Sequence, residues 1–370
     1  MKIAAIGDAH LGRSYYTYTT AEGINQRERD FEISFEAAID LALDQNPDVV
    51  VWLGDIFDHP RPSFRSYRIA QKGLAKLREG GVYVVVISGN HDTPRLPGTG
   101  SPYSPLSDSF MDMNFAYRLS YEKFELADLV VHAVPQTLNV EAALDELAKA
   151  KSNYSKDKIN LLITHPRLKQ LEPSHSDINE IEIDENALSG DFVLLGHYHF
   201  FSKVKKNIWY AGATDTFSFA DDPDRPKGIV VLDTGDGTCS HIPIPNQRPL
   251  ITLDDIQANG LSPKEIQDIL AQRSQDVIEG AIVRIFLSQV DPGAFRLLDL
   301  DEARRNFGWA LHLQLEANFE QENVQVDLPE QDTIHERWLN YLSAQDLVGY
   351  ERDLIVQKGS EYLSNAVEQA

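Results

Sequence analysis

Five short polar clusters each follow an apolar run: Gly7-Asp8-Ala9-His10, Gly54-Asp55-Ile56-Phe57-Asp58-His59, Gly89-Asn90-His91-Asp92, His165 after Leu161–Thr164, and Gly196-His197-Tyr198-His199. Neutral imidazole and carboxylate together suit borderline divalent ions such as manganese, iron or zinc better than calcium or magnesium. Asp55, with two oxygens, can bridge two ions, and Asn90 offers a neutral oxygen that limits negative charge where an anionic phosphate must land. On extended backbone Asp8-x-His10 and His197-x-His199 would each point both side chains the same way, because the side-chain period there is two. Two ions about 3.5–4 Å apart can activate a water between them, orient a phosphate and stabilise the attacking and leaving oxygens. His91, beside a candidate ligand, is placed to stabilise transition-state charge or protonate the leaving oxygen. The expected reaction is hydrolysis of a phosphate ester.

Each cluster alone has a plainer explanation. An Asp after a strand often caps a helix or a turn; Gly-Asn-His-Asp and Gly-His-x-His are more specific, and five in one order leave little to coincidence. His132, His175, His241, His312 and His335 lie outside the clusters and are expected to be structural or on the surface.

Something must bring these clusters together. Lys2–Gly7, Asp48–Leu53, Val82–Ile87, Ile159–Thr164, Phe192–Leu195 and Gly228–Leu232 are short, β-branched-rich runs that fit buried strands of an α/β protein. Asp30–Leu43 carries Phe31, Phe35, Ala38, Ile39 and Ala42 at helical spacing, and Tyr67–Glu79 has a similar pattern. The carboxyl ends of strands in an α/β sheet border the ligand crevice, so five strand ends deliver ligands toward one place. Pro243, Pro245 and Pro249 mark a boundary near residue 245, giving a first domain over 1–245. A small α+β domain is expected over 246–328, with strands at Ile282–Leu287 and Ala310–Leu315 and a helix around Leu300–Phe307. Residues 329–370 are expected to end in two helices, marked by Ile334, Trp338 and Tyr341 and by Leu354, Ile355, Tyr362 and Leu363.

Composition sets limits. With 370 residues, 42% hydrophobic and 25% charged, the chain fits a soluble globular protein with room for a catalytic domain and an appendage. The opening MKIAAIGD is too short in apolar residues for a secretory signal, and no run approaches the ~18 apolar residues of a membrane span. The single cysteine, Cys239, excludes an intramolecular disulfide and fits a reducing, cytoplasmic compartment. A net charge of -23 argues against indiscriminate coating of nucleic acid. The charge is uneven: residues 316–370 hold twelve Asp/Glu against three Lys/Arg, whereas Arg61, Arg65, Arg68, Lys72, Lys76 and Arg78 face only Glu79 between 61 and 79.

In their order and spacing the five clusters resemble the calcineurin-like metallophosphoesterases over about residues 1–235. The resemblance implies a two-sheet sandwich flanked by helices. It also implies one ion held by Asp8, His10, Asp55 and His199 and a second by Asp55, Asn90, His165 and His197. Gln26-Arg27-Glu28-Arg29-Asp30-Phe31, Gly54-Asp55-Ile56-Phe57-Asp58 before Arg61-Pro62-Ser63, and Tyr210-Ala211-Gly212-Ala213-Thr214 before Lys227-Gly228 are similar to the bacterial SbcD-like branch of DNA-repair nucleases. That branch implies a capping domain, manganese, action on DNA ends, a homodimer formed through helices near the site, and an SbcC-like coiled-coil ATPase partner. Asp58 stands where many members have histidine, so either Asp58 or the neighbouring His59 could support the site. Arg13, Arg61, Lys203, Lys205 and Lys206 are the candidates for contacts to the DNA backbone, each with a solvated charged face as the plainer explanation.

The leading expectation is therefore a metal-dependent DNA exonuclease or endonuclease in double-strand-break repair. A phosphatase or phosphodiesterase on small molecules or nucleotides keeps every ligand, needs no basic channel and sits better with the acidic charge. A metal-binding scaffold that only docks a partner leaves His91 without a purpose.

Overall fold

The computed structural model describes residues 1–171, 179–221 and 225–319, together with 338–339, 342, 354–360 and 362. In chain order the first half carries β1 (Lys2–Ile6), α1 (Gln26–Asp44), β2 (Val49–Leu53), α2 (Phe64–Glu79), β3 (Tyr83–Ile87), α3 (Tyr103–Ser109), β4 (Asn114–Ala116), β5 (Glu122–Leu126), β6 (Leu129–Val134) and α4 (Val140–Ser152). There follow β7 (Ile159–Thr164), β8 (Arg167–Leu168), β9 (Glu182–Ile183), β10 (Phe192–Leu195), β11 (Ser202–Lys205), β12 (Ile208–Tyr210), β13 (Gly228–Asp233) and β14 (Thr238–Pro243).

Two six-stranded sheets result, in the orders β14-β13-β1-β2-β3-β4 and β11-β12-β10-β7-β6-β5. β1 to β4 run parallel in the first, and β12, β10, β7 and β6 run parallel in the second. Alternation along the strands decides the layering. Ile3, Ala5, Val49, Val51 and Leu53 face Leu129, Val131, Leu161, Ile163 and Leu194 of the other sheet. Their neighbours Ala4, Ile6, Val50 and Trp52 pack against Phe35, Ala38 and Ile39 of α1 and Leu74 and Leu77 of α2. On the far side Leu162, Val193 and Leu195 pack under Ala143, Leu147 and Ala150 of α4. The product is the expected sandwich of two sheets flanked by helices. Strands covered on both faces explain the continuous apolar runs.

Local chemistry moves some boundaries. α1 begins at Gln26, four residues before the apolar stripe suggested, because the Asn25 side chain accepts from the Arg27 and Glu28 amides. Ser63 caps α2 in the same way through the Ser66 amide. β6 was not expected from the apolar runs, being broken in sequence by His132. That histidine is fully buried between the Tyr121 hydroxyl, 2.8 Å from Nδ1, and the Asn160 side-chain oxygen, 3.1 Å from Nε2. Its structural role is the expected one. His241 stacks on Phe201 and His312 on Tyr16, while His175 and His335 lie outside the described residues.

Further along lie β15 (Leu250–Thr252), β16 (Ile256–Gln257), α5 (Pro263–Arg273), β17 (Ile282–Val290), α6 (Pro292–Arg296), α7 (Leu300–Asn306) and β18 (His312–Phe319). Their four strands make a separate parallel sheet around β17, with a core of its own that includes Ile266, Leu270, Val283, Ile285 and Phe307. Met1–Phe319 forms one compact unit and Glu320–Ala370 a second. Within the second, residues 354–360 are helical; Ile334, Tyr341 and Leu363 lie outside the described residues. No described helix is long and apolar enough to cross a membrane.

Candidate metal centre

The turns after β1, β2, β3, β7 and β10 all open at the same rim, so both sheets contribute to one site. The loops after β1 and β2 are stitched together, with the Ala9 and His10 amides both donating to the Asp55 carbonyl at 2.9 Å. Asp8, His10, Asp55 and His197 take left-handed backbone, with φ of 41°, 45°, 50° and 87°. The extended backbone expected for the Asp-x-His and His-x-His pairs is therefore corrected. The side chains converge because tight turns aim them, in a region that costs non-glycine residues on the order of 1–3 kcal/mol each. Gly89 is required by close approach: a Cβ there would fall on the Asp55 carboxylate and the His165 ring.

The buried side chains Asp8, His10, Asp55, Asn90 and His165 meet at the centre, with His91 at the edge. Three imidazoles share one pattern. His165 Nδ1 lies 2.5 Å from the Leu53 carbonyl, so it carries the proton and leaves a bare Nε2. That Nε2 faces Asn90 Oδ1 at 3.0 Å, Asp55 Oδ2 at 3.2 Å and Asp8 Oδ1 at 3.7 Å. His10 Nδ1 meets the Asp58 carboxylate at 3.0 Å, while its buried Nε2 has no hydrogen-bond partner and points at Asp55 Oδ2, 3.5 Å away. His197 Nε2 meets Glu180 Oε1 at 2.9 Å and Nδ1 meets Asn90 Oδ1 at 2.9 Å. In each case a lone pair on nitrogen is aimed at oxygens that are themselves acceptors. Such an arrangement demands positive charge among them.

The titration behaviour agrees, because a proton on His165 Nε2 supplies the same positive charge that a cation there would. Burial opposes charge on His165, but Asp55 and Asp8 outweigh it and raise the imidazolium to about 9. Burial raises the Asp8 carboxyl to about 7, helped by Asp55 and opposed by His165. Asp55 is also opposed by burial, yet His165, His91 and His10 hold it well below the usual carboxylate range. Burial keeps His199 neutral, well below the ordinary imidazole value, and His10 adds to this.

Ligand atoms of Asp8, His10 and His199, of His10, Asp55 and His91, and of Asp8, Asp55 and His165 lie within 4.8 Å of one another and could each hold a metal ion. The bare ring nitrogens show that the donor set fits divalent cations.

Around this cage the structure separates the remaining candidates. Asp58 is inside: it accepts from His10 and, at 2.9 Å, from Arg13, and its backbone carbonyl lies 3.1 Å from His91 Nδ1. Burial opposes Asp58 ionisation, but His10 and Arg13 hold it well below the carboxylate range. His59 is 67% exposed, and among the described residues its ring pairs with Asp58, at 3.4 Å. Arg13 is bound into the site through Asp58 and lies 5.1 Å from the Phe217 ring centre. Arg61 is exposed just before α2. Lys203, Lys205 and Lys206 are not brought to the cage. β11 runs away from it, Lys203 lies over Trp209, and Lys205 pairs with Glu185 at 3.0 Å.

Four residues support the cage in roles that the sequence reading did not give them. Asp92, fully buried, accepts from the Gly89 amide at 2.8 Å and from the Tyr103 hydroxyl, bracing the turn that presents Asn90 and His91. Phe217 stacks on His199 at 4.1 Å and meets the His10 ring edge at 4.9 Å. Arg27 fixes that aromatic by donating to the Thr216 carbonyl at 2.6 Å and to Asp215 at 3.0 Å. Glu180 sits behind His197 and also accepts from Arg167 at 2.9 Å; burial opposes its charge, yet these two partners lower its pKa. Asp92 stood in the third of the polar clusters, without a role of its own, and Arg27 in a segment singled out by resemblance alone.

Residues 1–201 match the calcineurin-like phosphoesterase family. Among curated proteins, the chain is 27% identical over 241 residues to the "DNA double-strand break repair protein Mre11" of Methanocaldococcus jannaschii, covering 63% of this chain and 62% of that one. It is 24% identical over 359 residues to the protein of the same name from Sulfurisphaera tokodaii, covering 92% and 88%. The chain thus spans about three fifths of the length of the first relative and most of the second. Among solved structures, a dimetal phosphatase from Danio rerio is 13% identical, with 62% of this chain and 91% of that chain covered at a TM-score of 0.37. The matched span takes in all five strand-end clusters, and the family implies two divalent cations for them. By this match the chain belongs to the calcineurin-like phosphoesterases.

Proposed function

We propose that the chain is a metal-dependent nuclease that hydrolyses phosphodiester bonds of DNA in the repair of double-strand breaks. The observation that carries the hydrolytic reading is the convergence of bare imidazole nitrogens on Asp8, Asp55 and Asn90 at one rim. The choice of DNA is supported by the similarity to repair proteins named Mre11.

In this reading Asp8, His10, Asp55 and His199 hold one cation, and Asp55, Asn90, His165 and His197 hold the other. The cations would supply Lewis acidity and neutralise phosphate charge; the mixed nitrogen and oxygen donors suit manganese, iron or zinc, and the resemblance to repair nucleases points to manganese among them. The chain's own residues do the rest. His91 stands at the edge of the cage, its ring held at Nδ1 by the Asp58 carbonyl. It offsets charge on the phosphoryl oxygens and gives a proton to the leaving oxygen as water bonds to phosphorus. Asp58, rather than His59, orients His10, and Arg13 adds a fixed positive charge beside it. An ATPase partner of the SbcC kind, and pairing of two copies through helices near the site, belong to the same proposal.

The test uses the full chain with manganese on linear duplex DNA and on a chromogenic phosphodiester. The expected result is cleavage of both, with His91→Ala lowering kcat by about 10²–10⁴-fold while two ions remain bound. Hydrolysis of the chromogenic diester without DNA cleavage, alone or with the ATPase, would move the assignment to a small-molecule phosphoesterase. The net charge of -23 favours that second reading.

A further inference from the structure

Three of the four ligand-type imidazoles have the outer nitrogen fixed by a different acceptor: His10 by Asp58, His165 by the Leu53 carbonyl and His197 by Glu180. The third differs from the others in origin. Glu180 belongs to none of the five strand-end clusters, and nothing in its spacing marks it. It reaches His197 because β8 and β9 pair beside the cage, with the Arg167 amide donating to the Ile181 carbonyl at 2.9 Å and Lys169 to Ile183 at 3.0 Å. β8 begins two residues after His165. Arg167 then clamps the carboxylate directly, Nη1 to Glu180 Oε2 at 2.9 Å, and also pairs with Glu182.

We infer that Glu180, braced by Arg167, is a positioning residue that sets the tautomer and ring orientation of His197 and so tunes the cation site His197 shares with Asn90 and His165. A carboxylate only accepts, so the His197 Nε2 facing it at 2.9 Å bears the proton and Nδ1 turns its lone pair toward Asn90 and the cage. The opposite tautomer would set a lone pair against carboxylate oxygen. The backbone of His197 is strained, at φ 87°, and makes no such selection itself. A carboxylate behind a ligating imidazole also makes the ring a stronger donor. Glu180 touches none of the ligands assigned to the Asp8, His10 and His199 site, so its effect falls on one cation and not on both. The inference rests on the two-cation reading above.

The experiment is manganese titration of the full chain by calorimetry, with free manganese followed by electron paramagnetic resonance. The wild type is expected to bind two equivalents. In Glu180→Ala one of the two dissociation constants should weaken by about 10–100-fold, the usual effect of losing a group that orients a ligand, while the other holds. Glu180→Gln, whose amide oxygen still accepts from Nε2–H, should fall between wild type and Glu180→Ala. Arg167→Ala should shift the same constant less. The last two carry the test if Glu180→Ala does not fold. Both constants unchanged, or both weakened alike, would overturn the inference. A wild type that binds two ions but cleaves no diester sinks the proposed function and leaves this inference standing, whereas fewer than two ions would overturn both.

Discussion

At the scale of single residues, chemistry at this rim is set by which nitrogen of each ring is committed elsewhere. Asp58 commits His10 Nδ1 and, through its carbonyl, His91 Nδ1, so one residue orients two rings with different purposes. Losing such a partner costs metal affinity without deleting a ligand. Asp58→Ala is therefore expected to weaken manganese binding about 10–100-fold. His59→Ala, removing a ring that is 67% exposed, should leave binding and turnover unchanged. Titration of both variants with manganese checks the contrast, and equal losses would contradict it.

At the scale of elements, α1 supports the site from behind. Arg27 and Asp215, both 1% exposed, pair beside Asp30, which in turn receives Arg248 at 2.5 Å from the segment leading to the third sheet. Breaking a buried pair strands the surviving charge, so Arg27→Ala should cost about 3–5 kcal/mol in denaturant unfolding. It should also loosen Phe217 under His199. Retention of wild-type stability would show that the network is not needed.

β6 offers a pH test away from the metal ligands. Burial lowers the pKa of His132, partly offset by its Asn160 contact, and Lys123, Glu125, Tyr121 and Tyr154 are its other neighbours. A histidine kept neutral by folding stabilises the protein fully above its unfolded pKa of roughly 6.5 and loses that contribution as pH falls below it. His132→Gln is expected to flatten the acid side of the Tm profile below about pH 6.5. An unchanged profile would remove His132 as its cause.

At the scale of the whole molecule, ligands drawn from both sheets make cation binding a stabilising link between them. Ligands that bind only the folded state add about 2.7 kcal/mol at a hundred times their Kd. Manganese should therefore raise the unfolding midpoint, and a chelator should lower it. Asp55→Asn should abolish most of the difference, because Asp55 faces both His10 and His165. A midpoint indifferent to chelator would deny that the cage holds metal.

Much of this was legible in the chain itself. Buried strands demand apolar runs, and ligands demand particular side chains at strand ends, so eight strands, three helices and the residues of the cage could be read from local pattern. Asp58 and His59 could not be separated, since adjacent residues of suitable type differ only in which way the turn faces them. Lys203, Lys205 and Lys206 looked adjacent to His199, yet a strand that reverses direction carries them off. Glu180 and Phe217 leave no local trace, because their roles depend on contacts between segments well apart in sequence. Sequence determined which donors the chain possesses and the elements that end beside them. Only the tertiary structure decided which nitrogen of each ring faces inward, because that is fixed by partners that folding alone brings within hydrogen-bond reach.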